Sequence, residues 1–349
     1  MARNPPVPET YYDRVAAQHA LPLWVDTAQY VPKEPTPPYD PALWRSEDIR
    51  PLLMEAGDVV TPEEASRRVL VLQNPAFSGF QGTTRSLYAC LQLILPGEHA
   101  PEHRHTQSAL RLVLEGEGGI TTVDGGRVEM APGDFIITPS WTWHGHTHEG
   151  DTPMIWLDGL DNGLMAQMDT TFFEVGQTEL PGTGPVSTSA EEKEKEKEKE
   201  KEKEKEKDGE PSEGGERVLR YPYDKARENL EILRKVTDID PSHGYRMEYL
   251  NPADGGSAMP TMTTMLMLLD DGFTGQPYRS TDGVIFTVLE GEGETMIGGQ
   301  AFPRKRHDVF VVPSWSEYAH RADTESVLFS FSDRVVQLKL GVWREARSS

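Results

Sequence analysis

The stretch VLEGEG at residues 113–118 recurs unchanged at residues 288–293, an offset of 175 positions. A second motif, Pro-Ser-Trp, occurs at residues 139–141 and again at residues 313–315, an offset of 174 positions. Two motifs that repeat in the same order, with one residue of difference in a connecting loop, indicate a duplicated domain. The chain has 349 residues and is long enough for two such copies.

Both copies have the composition of short β-strands. From about residue 66 to 160, and again from about 245 to 345, runs of Val, Ile, Leu, Thr and Trp are separated by Gly, Pro and Asp at close intervals. This spacing is typical of an antiparallel barrel or sandwich. We therefore predict an all-β protein with four parts: an N-terminal segment with short helices (1–64), a first barrel (65–165), a linker (166–244) and a second barrel (245–349).

The predicted linker contains a strict alternation of Glu and Lys from Glu192 to Lys207. In a helix, the opposite charges at i+3 and the like charges at i+4 would largely cancel. Because the tract has no apolar residue to bury, we expect a disordered segment over about 191–216. An interaction arm is the alternative interpretation.

Charge and composition exclude several classes of partner. The chain has 57 acidic and 35 basic residues, and its net charge of -22 would repel nucleic acids and anionic membranes. No segment approaches the ~20 apolar residues that cross a bilayer, and the first residues lack the pattern of an export signal. We therefore expect a cytoplasmic protein without a nucleic-acid or membrane partner. Cys90 is the single cysteine, so a metal would need His, Asp or Glu ligands.

Three histidines in the first copy have the spacing of a metal site. His103 and His105 are two residues apart, so on a strand they project to the same face. His144 follows a Pro-Gly-Asp turn at residues 132–134 and would approach from a facing strand. Three neutral imidazoles leave coordination positions open, which suits a catalytic metal better than a structural one. Core or surface histidines without a metal are the alternative.

The order of Gly97, His-X-His, Pro-Gly-Asp and a late histidine resembles the cupin superfamily of jelly-roll barrels. Many cupins have a glutamate four or five residues after the second histidine, where this chain has Ala109 and Leu110. A three-histidine site without that carboxylate resembles the gentisate 1,2-dioxygenase family, which includes salicylate and 1-hydroxy-2-naphthoate dioxygenases. The longer runs that carry this resemblance are residues 67–70, 87–89, 91–98, 103–111, 156–161 and 327–333.

The resemblance implies a bicupin, with two double-stranded β-helix barrels, and an Fe(II) cofactor bound by His103, His105 and His144. It also implies cleavage of a hydroxylated aromatic acid by O2, with both oxygen atoms incorporated; for gentisate the product is maleylpyruvate. The partners are then a small aromatic acid and O2, and the expected assembly is a homo-oligomer, a tetramer.

The second copy is expected to lack a metal. Its residues at the positions of the three histidines are Tyr278, Ser280 and Tyr318, which together do not make the same site. His320 instead matches His146 of the first copy. We therefore expect one metal ion per chain and a structural role for the second barrel.

Arg111 and Gln92 are two of four candidate catalytic residues. Arg111 lies eight residues after His103, an even interval, so on an unbroken strand it would share the inward face of the ligands. Its planar guanidinium suits a substrate carboxylate, and a structural salt bridge with Asp158 is the alternative. Gln92 matches a position that lines the family's pocket, where its amide would donate to the ligand; an ordinary polar contact is the alternative.

His146 and Asp158 complete the four. His146 has the parity of His144, so we predict a hydrogen-bond donor or a proton acceptor near the bound hydroxyl group. Asp158 is predicted to orient Arg111 or His146, and the alternative is an acid that caps a turn.

The predicted substrate-binding residues are Arg67, Arg68, Tyr88 and Arg111. One of the two adjacent arginines should supply a second cation, and the sequence leaves open which one faces the pocket. Tyr88 resembles the pocket tyrosine of gentisate-preferring members, where some salicylate-cleaving relatives have tryptophan. Cys90 stands where relatives usually have glycine, which leaves salicylate and 1-hydroxy-2-naphthoate open as substrates.

Two alternatives concern the class of protein. One is a non-catalytic cupin that binds an aromatic acid, and the other is a zinc or manganese sugar isomerase, whose sites usually include a carboxylate ligand. The remaining histidines of the barrels, His99, His148 and His307, are expected at exposed or loop positions.

Overall fold

The computed structural model describes residues 9–25, 27, 31–61, 65, 67–79, 82–176 and 218–347. The Glu-Lys tract predicted to be disordered lies outside these residues. The chain divides into two units, Met1–Pro37 and Pro38–Ser349. The first contains helix α1 (Glu9–Ala16), and the second contains all of the β-structure that is described.

The first half of the larger unit is a double sheet of antiparallel strands, numbered in chain order. Its larger sheet contains, in spatial order, β12 (Arg220–Tyr221), β8 (Phe135–Thr138), β5 (Ala109–Glu115), β10 (Met154–Leu160), β3 (Tyr88–Ile94) and β2 (Arg68–Val71). Its smaller sheet contains β11 (Phe173–Val175), β4 (His99–His105), β9 (His144–His148), β6 (Gly119–Val123) and β7 (Gly126–Met130). We call these two sheets the first barrel.

The second half repeats this arrangement, as the duplicated motifs predict. The larger sheet contains β1 (Ala42–Trp44), β19 (Val309–Val312), β16 (Val284–Glu290), β21 (Ser326–Ser332), β14 (Thr263–Leu269) and β13 (Tyr245–Glu248). The smaller sheet contains β18 (Gln300–Arg304), β17 (Gly293–Ile297), β20 (Tyr318–Ala322), β15 (Tyr278–Ser280) and β22 (Glu345–Arg347). We call these two sheets the second barrel.

Four helices accompany the two barrels within the described part of the larger unit: α2 (Ser46–Val59), α3 (Asn162–Gln167), α4 (Tyr223–Val236) and α5 (Arg334–Lys339). The predicted N-terminal helices are present as α1 and α2. Helix α4 is amphipathic and buries Ala226 and Leu230. Among the described residues, no helix combines the length and the apolar character needed to cross a membrane.

Short strands from outside the predicted barrel ranges complete the sheets. Strand β1, from the predicted N-terminal segment, pairs with β19 of the second barrel, with Leu43 opposite Phe310. Strands β11 and β12, from the predicted linker, pair with β4 and β8 of the first barrel. These strands cover edges that would otherwise expose unpaired backbone groups. The four-part division stays a prediction. Strands from the predicted N-terminal segment and linker are paired with barrel strands, so the sheets do not follow the predicted boundaries.

Side chains alternate between two cores along the strands. In β5, Leu110 and Leu112 face a core that the two barrels share, whereas Val113 packs inside the first barrel. The shared core brings Phe135 of the first barrel within 5.6 Å of Phe329 of the second, measured between ring centroids. The barrels pack so closely that a Cβ atom at Gly159 would lie 2.6 Å from the ring of Phe331.

The repeated Pro-Ser-Trp motif has the same conformation in both barrels. Trp141 and Trp315 both have a φ of 62°, in the left-handed region that non-glycine residues rarely adopt. The Trp141 amide donates to the carbonyl of His105 at 2.8 Å, and the Trp315 amide donates to that of Ser280 at 2.7 Å. In the first barrel the motif therefore bonds the turn before β9 to the end of β4, and in the second barrel it bonds the turn before β20 to the end of β15. Both contacts lie beside the predicted ligand positions.

Candidate metal centre

The structure brings the three predicted ligands together inside the first barrel. His103 and His105 project from the same face of β4, and His144 begins β9, where it pairs with His103 across the sheet. All three side chains are buried. One ring nitrogen from each lies within 4.8 Å of those of the other two, so the group can hold a metal ion. Within the described residues, this is the one group of three such side chains.

Backbone carbonyl groups orient all three imidazole rings. The Nδ1 atom of His103 lies 3.0 Å from the carbonyl oxygen of Pro101, that of His105 lies 2.8 Å from Gln107, and that of His144 lies 2.9 Å from Thr142. A carbonyl oxygen only accepts, so each Nδ1 carries the hydrogen and donates it. The lone pair of each neutral ring is therefore on Nε2, which is the arrangement that metal-binding histidines require.

The three rings are held in their neutral form. Burial, followed by the charge of Arg67, lowers the pKa of His103 to about 3, and burial lowers the pKa of His105 to about 4. Burial and the neighbouring His103 lower the pKa of His144 to about 2. Protons therefore do not compete with a metal for these nitrogens near neutral pH.

The donor set fits a catalytic transition metal. Imidazole ligands suit iron, zinc, copper and nickel, and three of them leave further coordination positions for a ligand. Ala109, which stands where many cupins have a glutamate, lines the same cavity and contributes no carboxylate. A metal bound by the three histidines would therefore face an open cavity.

This cavity has a volume of about 550 Å³ and contains most of the predicted site residues. The side chains that line it are Ala65, Arg67, Val69, Tyr88, Cys90, Gln92, Pro101, His103, His105, Ala109, Arg111, His144, Asp158, Leu160, Phe173 and Val175. The volume lies within the range of small-molecule sites. Its two arginines make it locally cationic in a strongly acidic protein, which favours an anionic ligand.

Arg111 and Asp158 form a buried ion pair in the cavity wall. They lie directly opposite each other on β5 and β10, and Nε of Arg111 donates to Oδ1 of Asp158 at 3.0 Å. The indole nitrogen of Trp156 donates to the other oxygen at 2.9 Å. Burial lowers the pKa of Arg111 and raises that of Asp158, and each charge opposes the effect on its partner. Asp158 is thus placed to orient Arg111, and the ion pair that was the alternative for Arg111 is present; a catalytic role for either residue stays a prediction. The alternative of a turn cap is wrong because Asp158 lies within a strand.

The two adjacent arginines have different environments. Arg67 lines the cavity, and its Nη1 lies 2.8 Å from Nε2 of His103. Arg68 instead forms an ion pair of 2.6 Å with Glu98 and donates to the carbonyl of Val60. Of these two arginines, Arg67 is therefore the one placed to contact a ligand in the cavity. The prediction that Arg68 binds the substrate is corrected, because the Arg68 side chain is paired with Glu98.

His146 lies next to the cavity but does not line it. Its Nδ1 is 3.0 Å from the hydroxyl of Thr121, which also accepts a hydrogen bond of 2.9 Å from Arg111. Its Nε2 is buried without a hydrogen-bond partner among the described residues. In the second barrel, His320 and Thr295 make the same contact at 2.9 Å. Since this pair recurs where the ligand histidines are missing, it belongs to the barrel core, and a role for His146 in proton transfer stays a prediction.

The second barrel has tyrosines at two of the ligand positions. Tyr278 and Tyr318 pair across β15 and β20, as His103 and His144 do across β4 and β9. Burial raises the pKa of both phenols, so they stay protonated at neutral pH. Together with Ser280, they pack in the interior of this barrel and offer no set of metal ligands.

The unassigned histidines do not all occupy exposed positions. His99 is exposed in β4, and His307 lies in a turn, but His148 is buried in β9 with its Nε2 2.6 Å from the carbonyl oxygen of Thr152. The expectation of an exposed or loop position is therefore wrong for His148. Phe173 and Val175 of the cavity were not predicted at all. A short alternation of apolar and acidic residues at 173–175 is the signal that marks their strand.

Comparisons with known proteins identify the family. Residues 90–159 match the family model for the cupin domain. Gentisate 1,2-dioxygenase 1 from Aquipseudomonas alcaligenes is 45% identical over 97% of this chain and 96% of its own length. The 1-hydroxy-2-naphthoate 1,2-dioxygenase from a Nocardioides strain is 30% identical over 92% of this chain and 83% of its own length. Salicylate 1,2-dioxygenase from Pseudoaminobacter salicylatoxidans, solved as adducts with gentisate, aligns with a TM-score of 0.84 and 28% identity, covering 100% of this chain and 96% of that chain.

A bicupin with a three-histidine metal-binding site in one barrel defines the class of protein, a metal-dependent ring-cleaving dioxygenase. The chain belongs to the gentisate 1,2-dioxygenase family. It is thus an oxidoreductase, and the prediction from the sequence is confirmed for the family, the fold and the enzyme class.

Proposed function

We propose that the chain is a gentisate 1,2-dioxygenase that binds one Fe(II) ion through His103, His105 and His144 and converts gentisate and O2 to maleylpyruvate. The observation that carries the proposal is the convergence of three Nε2 lone pairs on a cavity that also contains two arginines. Iron(II), when bound, supplies the electron transfer between the aromatic ring and dioxygen.

Arg67 and Arg111 bind the carboxylate of the aromatic acid in this proposal. A guanidinium group makes two parallel hydrogen bonds with a carboxylate, so it fixes the plane of the acid as well as its position. Asp158 and Thr121 hold the Nε and Nη1 atoms of Arg111, which keeps its orientation constant during turnover. Arg67 has no such constraint from a carboxylate among the described residues, where it contacts His103 instead.

Gln92, Tyr88 and Cys90 shape the part of the cavity next to Arg111. Gln92 is buried and its amide can donate a hydrogen bond to an oxygen atom of the acid. Burial raises the pKa of the Tyr88 phenol and of the Cys90 thiol, so both meet the ligand in neutral form. A neutral wall adds no negative charge that would repel an aromatic carboxylate.

Gentisate is the preferred substrate for two reasons. Tyr88 resembles the pocket tyrosine of gentisate-preferring members of the family, and the relative with 45% identity is named a gentisate 1,2-dioxygenase. Salicylate and 1-hydroxy-2-naphthoate are the alternatives, because a dioxygenase named for each of them is similar to this chain over at least 92% of its length. The thiol of Cys90 occupies cavity space that a glycine would leave free, which favours the smaller monocyclic acids.

The test is oxygen consumption by the full chain, loaded with Fe(II) under anaerobic conditions and then given each of the three acids and O2. Absorbance of the ring-opened product is followed in parallel. Equal amounts of O2 consumed and product formed from gentisate, abolished in His103→Ala, would support the proposal. Turnover of another acid but not of gentisate would contradict the substrate, and tight binding of all three acids without O2 uptake would contradict the activity.

The assembly and location of the enzyme are also part of the proposal. We propose a cytoplasmic homotetramer, supported by the family resemblance and by the repulsion between an acidic surface and anionic membranes. Light scattering of the purified protein tests the assembly, and a mass other than four chains would contradict it. Fractionation of source cells tests the location.

A further inference from the structure

Asp161 lies between the two barrels and is fully buried at the N-cap position, immediately before α3. An aspartate at such a position commonly accepts hydrogen bonds from the helix's own amides, but Asp161 makes no side-chain cap. Its Oδ1 accepts from the amide of Ser108 at 2.9 Å, and its Oδ2 accepts from the hydroxyl of Thr261 at 2.6 Å. Thr261 precedes β14 and therefore belongs to the second barrel.

The contacts of Asp161 lead directly to a metal ligand. Ser108 follows Gln107, whose carbonyl oxygen accepts the Nδ1 hydrogen of His105 at 2.8 Å. The side-chain amide of Gln107 donates to Asn162, the neighbour of Asp161, at 2.9 Å. Gln107 and Ser108, which follow the ligand strand after Thr106, are thus held by Asn162 and Asp161. The orientation of the His105 ring depends on this turn, because the Nδ1 hydrogen of the ring is donated to Gln107.

The duplication supplies an internal comparison. At the start of α5, Asp333 accepts a hydrogen bond of 2.8 Å from the hydroxyl of Ser86 in the first barrel. Each barrel therefore has an aspartate that reaches a hydroxyl group of the other barrel. The two contacts differ in what they support, because the strand next to Asp161 ends in His105, whereas the corresponding strand of the second barrel ends in Ser280.

We propose that Thr261 of the second barrel is a positioning residue for the metal ligand His105, acting through Asp161 and the turn at residues 106–108. The inference rests on the proposed function, because it requires a metal at the three histidines. Without the Thr261 hydroxyl, Oδ2 of Asp161 is left buried and unpaired, so the carboxylate rearranges and releases the Ser108 amide. The His105 ring then loses its fixed orientation, and the site binds a metal less tightly.

The test compares two variants of the full chain, Thr261→Val and Ser86→Ala. Each removes one hydroxyl from one of the two reciprocal contacts, and only the first contact leads to a ligand. The readouts are the dissociation constant for Co(II), measured by competition with a chelator, and the visible absorption spectrum of the Co(II)-loaded protein. Thr261→Val should weaken metal binding ~10-fold and change the spectrum, which is the usual size of effect for groups that orient ligands. Thr261→Ser should restore both readouts.

Ser86→Ala should bind Co(II) as the unaltered chain does, with the same spectrum. Wild-type affinity and spectrum in Thr261→Val would overturn the inference while leaving the metal site of the proposed function intact. An equal loss of affinity in Ser86→Ala would also overturn it, because general loosening of the two barrels would then be the cause. If Thr261→Val does not fold, Thr261→Ala takes its place with the same readouts. Failure of the unaltered chain to bind Co(II) would instead contradict the proposed metal site, and the inference with it.

Discussion

The Nη1 atom of Arg67 lies 2.8 Å from Nε2 of His103, the atom proposed to bind the metal. A guanidinium and a metal ion need the same lone pair, so Arg67 must move away when the metal binds. The arginine is then free to turn toward a ligand in the cavity that it lines. This relationship separates Arg67 from Arg68, which is adjacent in sequence and paired with Glu98.

Substitution of Arg67 should therefore affect the ligand, and substitution of Arg68 should affect the fold. Arg67→Met removes a charge-assisted hydrogen bond to the substrate carboxylate, worth roughly 1.5–3 kcal/mol, and should raise KM about 10-fold or more. It should also strengthen Co(II) binding, since the competing cation is gone. Arg68→Met leaves Glu98 without its buried partner and should lower the free energy of unfolding by about 2 kcal/mol at unchanged KM. Steady-state kinetics and urea unfolding of both variants measure these effects; a similar KM for the two would contradict the assignment.

The ion pair between Arg111 and Asp158 should make a large contribution to the unfolding equilibrium. Asp158→Asn leaves the Arg111 charge buried without a charged partner, so we expect a loss of about 3–5 kcal/mol in the free energy of unfolding. The double variant Arg111→Met with Asp158→Asn removes both charges and should lose less than the sum of the single variants Arg111→Met and Asp158→Asn. Urea unfolding of the four proteins gives the coupling energy. A loss below about 1 kcal/mol in Asp158→Asn, as for an exposed pair, would contradict this expectation.

The sequence predicted the metal ligands of the site better than it predicted which other residues line the cavity. Alternation along a strand was sufficient to place His103 and His105 on one face, because a strand has a fixed period of two. The same reasoning did not distinguish Arg67 from Arg68, since it requires the register of β2 against β3. Phe173 was missed because a three-residue strand has too little pattern of its own. The link from Thr261 to Asp161 joins positions 100 residues apart, and only tertiary packing brings them together.

Acid should destabilise the metal-free protein through its buried histidines. Burial lowers the pKa of His105 to about 4, whereas an unfolded histidine has a pKa near 6.5. Between these values the unfolded chain binds a proton that the folded chain does not, so the stability contributed by His105 is present above pH ~6.5 and is lost as the pH falls. From pH ~7.5 to ~5 the loss amounts to about 2 kcal/mol.

Urea unfolding of chelator-treated protein at these two pH values measures the effect. His105→Asn should reduce the pH dependence by about 2 kcal/mol relative to the unaltered chain. His99→Asn is the matched control, because His99 is exposed in the same strand, and it should leave the pH dependence unchanged. Equal pH dependence in His105→Asn and the unaltered chain would show that His105 is not held neutral by the fold.

Each chain should bind one metal ion, and the first barrel should hold it. In the second barrel, the hydroxyl of Tyr278 donates to Glu345 at 2.8 Å, and burial keeps both Tyr278 and Tyr318 protonated, so neither presents a phenolate to a metal. Elemental analysis of protein loaded with Fe(II) or Co(II) and then desalted should give about one ion per chain. His144→Ala should reduce this to none, because two neutral imidazoles hold a divalent ion too weakly to survive desalting. His320→Gln should retain the full amount, since His320 matches His146 and not a ligand position. Two ions per chain, or retention of the ion in His144→Ala, would place a second site in the protein and contradict the assignment of a structural role to the second barrel.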